Sequence, residues 1–411
     1  MINLRDTVAK LARNGDWPKL LAGAARGRMR REPGPASTPL QEVHGFGTNP
    51  GDLRMFAYLP RTLASRPALM VVLHGCAQTA AGYDFGAGWS ALADRYGFAL
   101  LMPEQQRANN PNACFNWFQP EDSERDRGEA LSIRQMVEKI VADKGIDSAR
   151  VFVTGLSAGG AMTSVMLACY PEVFAGGAIV AGLPYGAATN VQQAFESMFQ
   201  SPARPARAWG DLVRAASPHK GPWPRVSVWH GSADKTVIPA NAAEIIKQWT
   251  AVHGLAIAPS GNGKVEGYPR EVWRDAAGNE VIEYYSITGM AHGTPLATGD
   301  AEGACGEAGP YLLQAGISSS YRIAKFFGIA MPADRVAIAN GTELTPKKNG
   351  VVESAESVTV SKNGARNKDK ILEGEILDKD DDRPESIPPS SPFEIGAVIN
   401  KALKAAGLIK N

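Results

Sequence analysis

The sequence predicts an α/β fold: a mostly parallel central sheet with helices on both faces. Three observations carry the prediction. Apolar runs of strand length alternate with helix-patterned stretches between residues 40 and 332, as a parallel sheet joined by crossover helices requires. Ala68-Leu69-Met70-Val71-Val72-Leu73 is apolar without interruption, the pattern of a strand covered on both faces. Val151-Phe152-Val153-Thr154 runs into Gly155-Leu156-Ser157-Ala158-Gly159 and then into helix-forming Ala161 to Leu167, so strand, sharp turn and helix follow one another closely.

The elements are expected in this order. Arg54 to Leu59 alternates as an outer strand, and the buried strand 68–73 follows. A helix over Trp89 to Arg95 leads to a strand over Phe98 to Met102, and a helix over Gly128 to Val141 leads into the Ser157 strand. Strands are expected near Gly177 to Val180, Val226 to Trp229 and Glu283 to Ile287, with a helix over Asn241 to Val252 between the last two. A final helix over Tyr311 to Phe327 closes the domain, while residues 184 to 222 show no usable periodicity.

The flanks differ in texture. Residues 1–39 form a basic extension and linker; Met1 to Arg31 holds eight Lys/Arg against two Asp, and Leu4, Val8, Leu11 and Ala12 share one helical face. Residues 333–390 are rich in Lys, Asp, Glu, Ser and Pro and read as a disordered linker. In 391–411, Ser391-Pro392-Phe393-Glu394 forms a capping box ahead of Ile395, Val398, Ile399, Ala402, Leu403 and Ala406. This amphipathic helix is expected to pack on the body, or to meet a granule or protein surface.

Composition narrows the function class. The chain has 411 residues, 44% hydrophobic and 21% charged, with a net charge of +1. That balance argues against a nucleic-acid binder, and no apolar run approaches the roughly 18 residues of a membrane span. No secretion signal is visible, so a cytoplasmic location is expected. Cys76, Cys114, Cys169 and Cys305 lack C-x-x-C spacing, which argues against a zinc site. Cys169 reads as a core residue, and a bridge between Cys76 and Cys114 is left open.

The chemistry-bearing residues suit acyl transfer. The G-x-S-x-G turn holds the Ser157 hydroxyl above the sheet, and a Cβ at position 155 or 159 would collide where strand and helix backbones meet. A serine nucleophile needs a base and a carboxylate to orient it, in the chain order Ser, Asp, His for this sheet. His292 follows a strand in Gly289-Met290-Ala291-His292-Gly293 and is the expected base. Asp234 lies at the carboxyl end of the strand in Val226 to Val237 and is the expected acid, ahead of Asp211 and Asp275, which follow no buried strand. His230 and His74 read as structural. Two N–H donors for a developing oxyanion are expected at Ala158, beside the nucleophile, and at Cys76, in the loop after the early strand. No metal or organic cofactor is called for.

Taken together, His74-Gly75-Cys76, Ala113 to Trp117, Gly155 to Gly160, His230 to Val237 and Gly289 to His292 resemble the polyhydroxybutyrate (PHB) depolymerase family of esterases, over roughly residues 40 to 330. The resemblance implies an α/β-hydrolase fold related to feruloyl and acetylxylan esterases. It implies Ser157, Asp234 and His292 as a triad, with the amides of Cys76 and Ala158 as oxyanion hole. It also implies an aromatic beside the cleft that helps bind polyester, for which Trp117 is the candidate; its other reading is a core tryptophan. Many members are secreted, which makes an extracellular location the alternative. The expected substrates are hydroxyalkanoate polyesters, oligomers or short-chain acyl esters. A feruloyl or acetylxylan ester is the alternative, and an inactive granule- or surface-binding scaffold is the rival from another class.

Overall fold

A computed structural model describes residues 37–299 and 303–330. The basic helix expected before residue 37, the linker 333–390 and the helix 391–411 lie outside the described residues.

The strands are β1 (Gln41–Val43), β2 (Arg54–Tyr58), β3 (Leu69–Leu73), β4 (Ala99–Glu104), β5 (Val151–Leu156), β6 (Gly176–Val180), β7 (Arg225–Gly231), β8 (Gly261–Val265), β9 (Tyr268–Arg274), β10 (Glu280–Ile287), β11 (Thr294–Leu296) and β12 (Leu312–Gln314). The helices are α1 (Ala80–Ala87), α2 (Trp89–Tyr96), α3 (Pro120–Ser123), α4 (Gly128–Lys144), α5 (Ala158–Cys169), α6 (Val191–Gln200), α7 (Ala206–Ala215), α8 (Ala240–His253) and α9 (Ser319–Phe326). The first ten strands form one sheet in the order β1-β2-β4-β3-β5-β6-β7-β10-β9-β8. From β4 through β3, β5, β6 and β7 to β10, neighbours run parallel. Antiparallel strands β1 and β2 flank one side, β9 and β8 the other.

Two-residue periodicity divides each central strand between two cores. Leu69, Val71, Leu73, Val151 and Val153 face a cluster that includes Met136 and Ile140 of α4, Met162 and Val165 of α5, and Ile245 and Trp249 of α8. Met70, Val72 and Phe152 face the opposite cluster, with Tyr83 of α1, Leu92 of α2 and Ile323 of α9. Helices therefore cover both faces, which explains why β3 and β5 read as unbroken apolar runs. Each fully buried Val or Leu contributes about 1.5–3 kcal/mol.

Two expectations need correction. The stretch 311–327 is not one helix: Leu312–Gln314 pairs parallel with β11, and α9 begins only at Ser319. Tyr311 and Gly316 take left-handed φ values of 62° and 74°, which break helical progression. Ser318 then caps α9, its hydroxyl accepting the Tyr321 N–H. The Arg54 strand is also not outermost, because Gln41–Val43 pairs along its free edge.

Pairing between β7 and β10 is reinforced where it matters for the site. Trp229 and Tyr285 are register partners whose rings stack at 3.8 Å. Beneath them Trp229 Nε1 donates to Ser227 Oγ, which donates to Glu283 Oε1, while Arg270 holds Oε2. Burial raises the Glu283 carboxyl despite the neighbouring Arg270. The loops leaving β7 and β10 thus spring from a clamped base.

Candidate active site

The turn after β5 is held by close backbone packing. A Cβ on Gly155 would lie 2.4 Å from the Gly159 carbonyl carbon, and one on Gly159 would lie 2.3 Å from Leu73 O. Only glycine lets α5 approach β3 and β5 this closely. Ser157 sits between them at φ 58° and ψ −116°, a strained conformation for a residue with a side chain. Its N–H donates to Val180 O, which ties the turn to β6. Ala158 opens α5, so its N–H lies in the first turn, where no intrahelical acceptor exists.

Asp234 and His292 are brought into contact from loops 58 positions apart in sequence: His292 Nδ1 donates to Asp234 Oδ2 at 2.7 Å. The two loops are laced together by Ser232 N to Ile287 O, Ala233 N to Met290 O and Gly289 N to Ser232 Oγ. The other Asp234 oxygen accepts the N–H groups of Thr236 and Val237 at 2.8 and 2.9 Å. Burial alone would raise this carboxyl. The adjacent N–H groups of His230 and His292 outweigh that effect and hold it far below the usual carboxylate range. An ionised Asp234 fixes the His292 proton on Nδ1, which leaves the lone pair on Nε2. The His292 ring meets Tyr311 edge-on, at 6.0 Å between centroids.

Ser157, Asp234 and His292 all follow the carboxyl ends of parallel strands, β5, β7 and β10, and so share one rim of the sheet. Among the described residues, Ser157 Oγ and His292 Nε2 are not hydrogen-bonded to each other.

The loop after β3 is cross-linked to the segment before Trp117. Cys76 and Cys114 form a disulfide, and Ala77 N donates to Asn112 O. Gly75 N donates to Gln78 Oε1, folding the loop back on itself. The Cys76 amide makes no hydrogen bond among the described residues. His74 is fully buried, donating from Nδ1 to Gly75 O and accepting Gln105 N at Nε2. Burial pushes its imidazole down to about 4. With both nitrogens engaged, it can serve only as scaffold. Gln105 continues the network to buried Glu129, which also accepts Asn116 N. Desolvation, reinforced by Asp122, raises the Glu129 carboxyl well above its ordinary value. Trp117 lies beyond this network, 7% exposed and edge-on to Phe118 at 5.5 Å.

Cys169 and Cys305 are free and buried. No helix among the described residues is long and apolar enough to cross a membrane. Sequence reasoning overlooked the Tyr311 ring beside His292 and the contact of His230 with Asp234. The i, i+4 spacing of the latter pair was visible, but the strand-to-turn path that folds one onto the other was not.

Comparisons with known proteins agree with this architecture. Residues 53–272 match the family model described as esterase PHB depolymerase. Poly(3-hydroxyalkanoate) depolymerase C of Paucimonas lemoignei is 49% identical over 291 residues, covering 71% of this chain and 70% of that protein. An acetylxylan esterase of Coprinopsis cinerea is 35% identical, covering 62% of this chain and 69% of that protein. Among solved structures, an acetyl xylan esterase from Aspergillus awamori superposes with a TM-score of 0.60 at 27% identity, covering 71% of this chain and 99% of that one. With an α/β-hydrolase sheet, a matching family model and a relative of this similarity, the chain belongs to the PHB depolymerase family of esterases.

Proposed function

We propose that the chain is a serine ester hydrolase acting on hydroxyalkanoate polyesters, their oligomers or short-chain acyl esters. Ser157 attacks the ester carbonyl while His292 Nε2 takes its proton. The amides of Cys76 and Ala158 hold the tetrahedral oxyanion. His292 returns the proton to the leaving alcohol, and water then releases the acid from the acyl-enzyme by the same route. Asp234 keeps the imidazole in the required tautomer throughout.

The observation that carries this reading is the 2.7 Å bond from His292 Nδ1 to an ionised Asp234, at the strand edge that also bears Ser157. Serine-to-base contacts are often long before substrate binds and close in the complex. The strained Ser157 backbone adds support, because strain of this kind concentrates at functional positions. Trp117 is proposed to help bind the ester beside the cleft; it is 7% exposed and packs in the apolar cluster of α4 and α5.

The polyester reading draws on the 49% identical depolymerase. A second reading, an ester of acetylated or feruloylated polysaccharide, draws on the relatives named acetylxylan esterase and feruloyl esterase B at 35% and 33% identity. Hydrolysis of hydroxybutyrate trimer, acetylated xylan and a methyl ferulate by the wild type and Ser157→Ala separates them. The account expects highest kcat/KM on the trimer and loss of all three activities in the variant. Preference for xylan or ferulate would replace the substrate while keeping the chemistry. Wild-type turnover no faster than the variant's would favour a scaffold.

Residues 40–332 are proposed to contain the whole catalytic unit, with 391–411 attaching it to a polyester particle. Equal co-sedimentation with such particles by the full chain and a chain ending at 332 would remove the second idea.

A further inference from the structure

His230 is a buried polar group beside the site that the mechanism above leaves without a role. It lies on β7, 1% exposed, with Ser286 of β10 as its register partner. Its Nε2 donates to Val237 O at 2.8 Å and stands 3.4 Å from Asp234 Oδ2. Val237 is held through both of its backbone polar groups: its N–H donates to Asp234 Oδ1, and its carbonyl accepts from His230. One N–H therefore braces the turn that carries the carboxylate and lies close to the oxygen that faces His292.

The rest of the ring argues against a packing role. Nδ1 is buried without a hydrogen-bond partner, an arrangement that costs stability. A phenylalanine would fill the same space without an orphaned nitrogen. What the imidazole provides that a hydrocarbon ring lacks is the N–H at Nε2.

We propose that His230 is a positioning residue for the triad acid, its Nε2–H fixing the Asp234–Val237 turn so that Oδ2 is aimed at His292. The proposal rests on the assignment of Asp234 and His292 given above. His230 touches neither substrate nor nucleophile and acts only through the carboxylate. Because Asp234 orients the base during proton transfer, loss of the brace lowers kcat and leaves ground-state binding unchanged.

The test compares steady-state hydrolysis of p-nitrophenyl butyrate by the wild type, Ser157→Ala, His230→Gln, His230→Asn and His230→Phe. A glutamine amide nitrogen reaches the position of Nε2, whereas an asparagine amide reaches only that of Nδ1. The expected result is a loss of roughly tenfold in kcat for Asn and Phe, the lower end of what outer hydrogen-bond partners of metal-site ligands contribute. KM is unchanged, and Gln retains most of the wild-type kcat. Gln as slow as Asn, or Phe as fast as the wild type, overturns the proposal. Should Phe fail to fold, the contrast between the two amides decides alone. A wild type no faster than Ser157→Ala overturns instead the triad assignment on which the proposal stands, a result distinguishable from the first two.

Discussion

Single positions at this rim are constrained by distance more than by chemistry alone. Gly159 was legible because the pentapeptide and its strand-turn-helix setting demand a close backbone approach, and the structure gives the reason in a Leu73 carbonyl 2.3 Å from any added Cβ. Replacing it with alanine must push α5 away from β3. We expect Gly159→Ala to lose about 2–4 kcal/mol of stability and nearly all ester hydrolysis, checked by urea unfolding beside a p-nitrophenyl butyrate assay. A variant with wild-type stability and rate would mean that the turn can open at no cost. Asp234 and His292 were legible for a different reason: each follows a strand whose carboxyl end must face Ser157 once the sheet is parallel. His230 was not, because its role depends on how the turn after β7 folds back, and a strand pattern carries no such information. Tyr311 was missed because the stretch containing it reads as helix, whereas its φ of 62° breaks the helix just before the short strand β12.

At the scale of elements, the loop after β3 has little regular structure and depends on cross-links. The Cys76–Cys114 bridge closes 38 positions of chain, for which loop-entropy arguments give up to about 4 kcal/mol. It also ties the Cys76 amide to the segment carrying Trp117. The double variant Cys76→Ser/Cys114→Ser is therefore expected to lose kcat more than it raises KM. The loss is bounded by the roughly 3–4 kcal/mol that one oxyanion donor contributes. Steady-state kinetics on p-nitrophenyl butyrate measure this, and a variant with raised KM and intact kcat would assign the bridge to substrate binding instead. The sequence left this pair open, since two cysteines in separate loops reveal nothing about distance. Elements built on buried periodicity, β3, β5 and α5, were readable. Those built on capping and edge pairing were read less well: α6 starts where Asn190 accepts the Gln193 N–H, a local signal that was present but unread. The β8–β9 hairpin is largely exposed on its outer strand, so it carries no apolar alternation to detect.

For the whole molecule, buried titrating groups tie the loop after β3 to global stability. His74 has a folded value near 4 against an ordinary 6.5, because burial disfavours its charged form. The unfolded chain therefore takes up a proton first, and the stability linked to neutral His74 is present above pH 6.5 and lost as pH falls toward about 4. Buried Glu129 acts in the opposite direction: its raised value favours the folded state at low pH and is lost as pH rises through it. Unfolding free energies from urea titrations across this range are expected to fall with acid by an amount on the order of 3 kcal/mol before that offset. In His74→Gln the slope is expected to be shallower whatever its absolute stability. An unchanged slope would mean that His74 is not the group that titrates. The general architecture was legible because parallel sheets write themselves into apolar runs. Residues 184–222 were less legible: they hold helices α6 and α7, where no regular element was expected. The central claim, that Ser157 is the nucleophile served by His292 and Asp234, is tested most directly by reacting the protein with a p-nitrophenyl organophosphonate and mapping the adduct by mass spectrometry. The account predicts one adduct, on Ser157, and its absence together with all p-nitrophenyl butyrate hydrolysis in Ser157→Ala. An adduct on another serine, or a Ser157→Ala protein that still hydrolyses the ester at the wild-type rate, would contradict it.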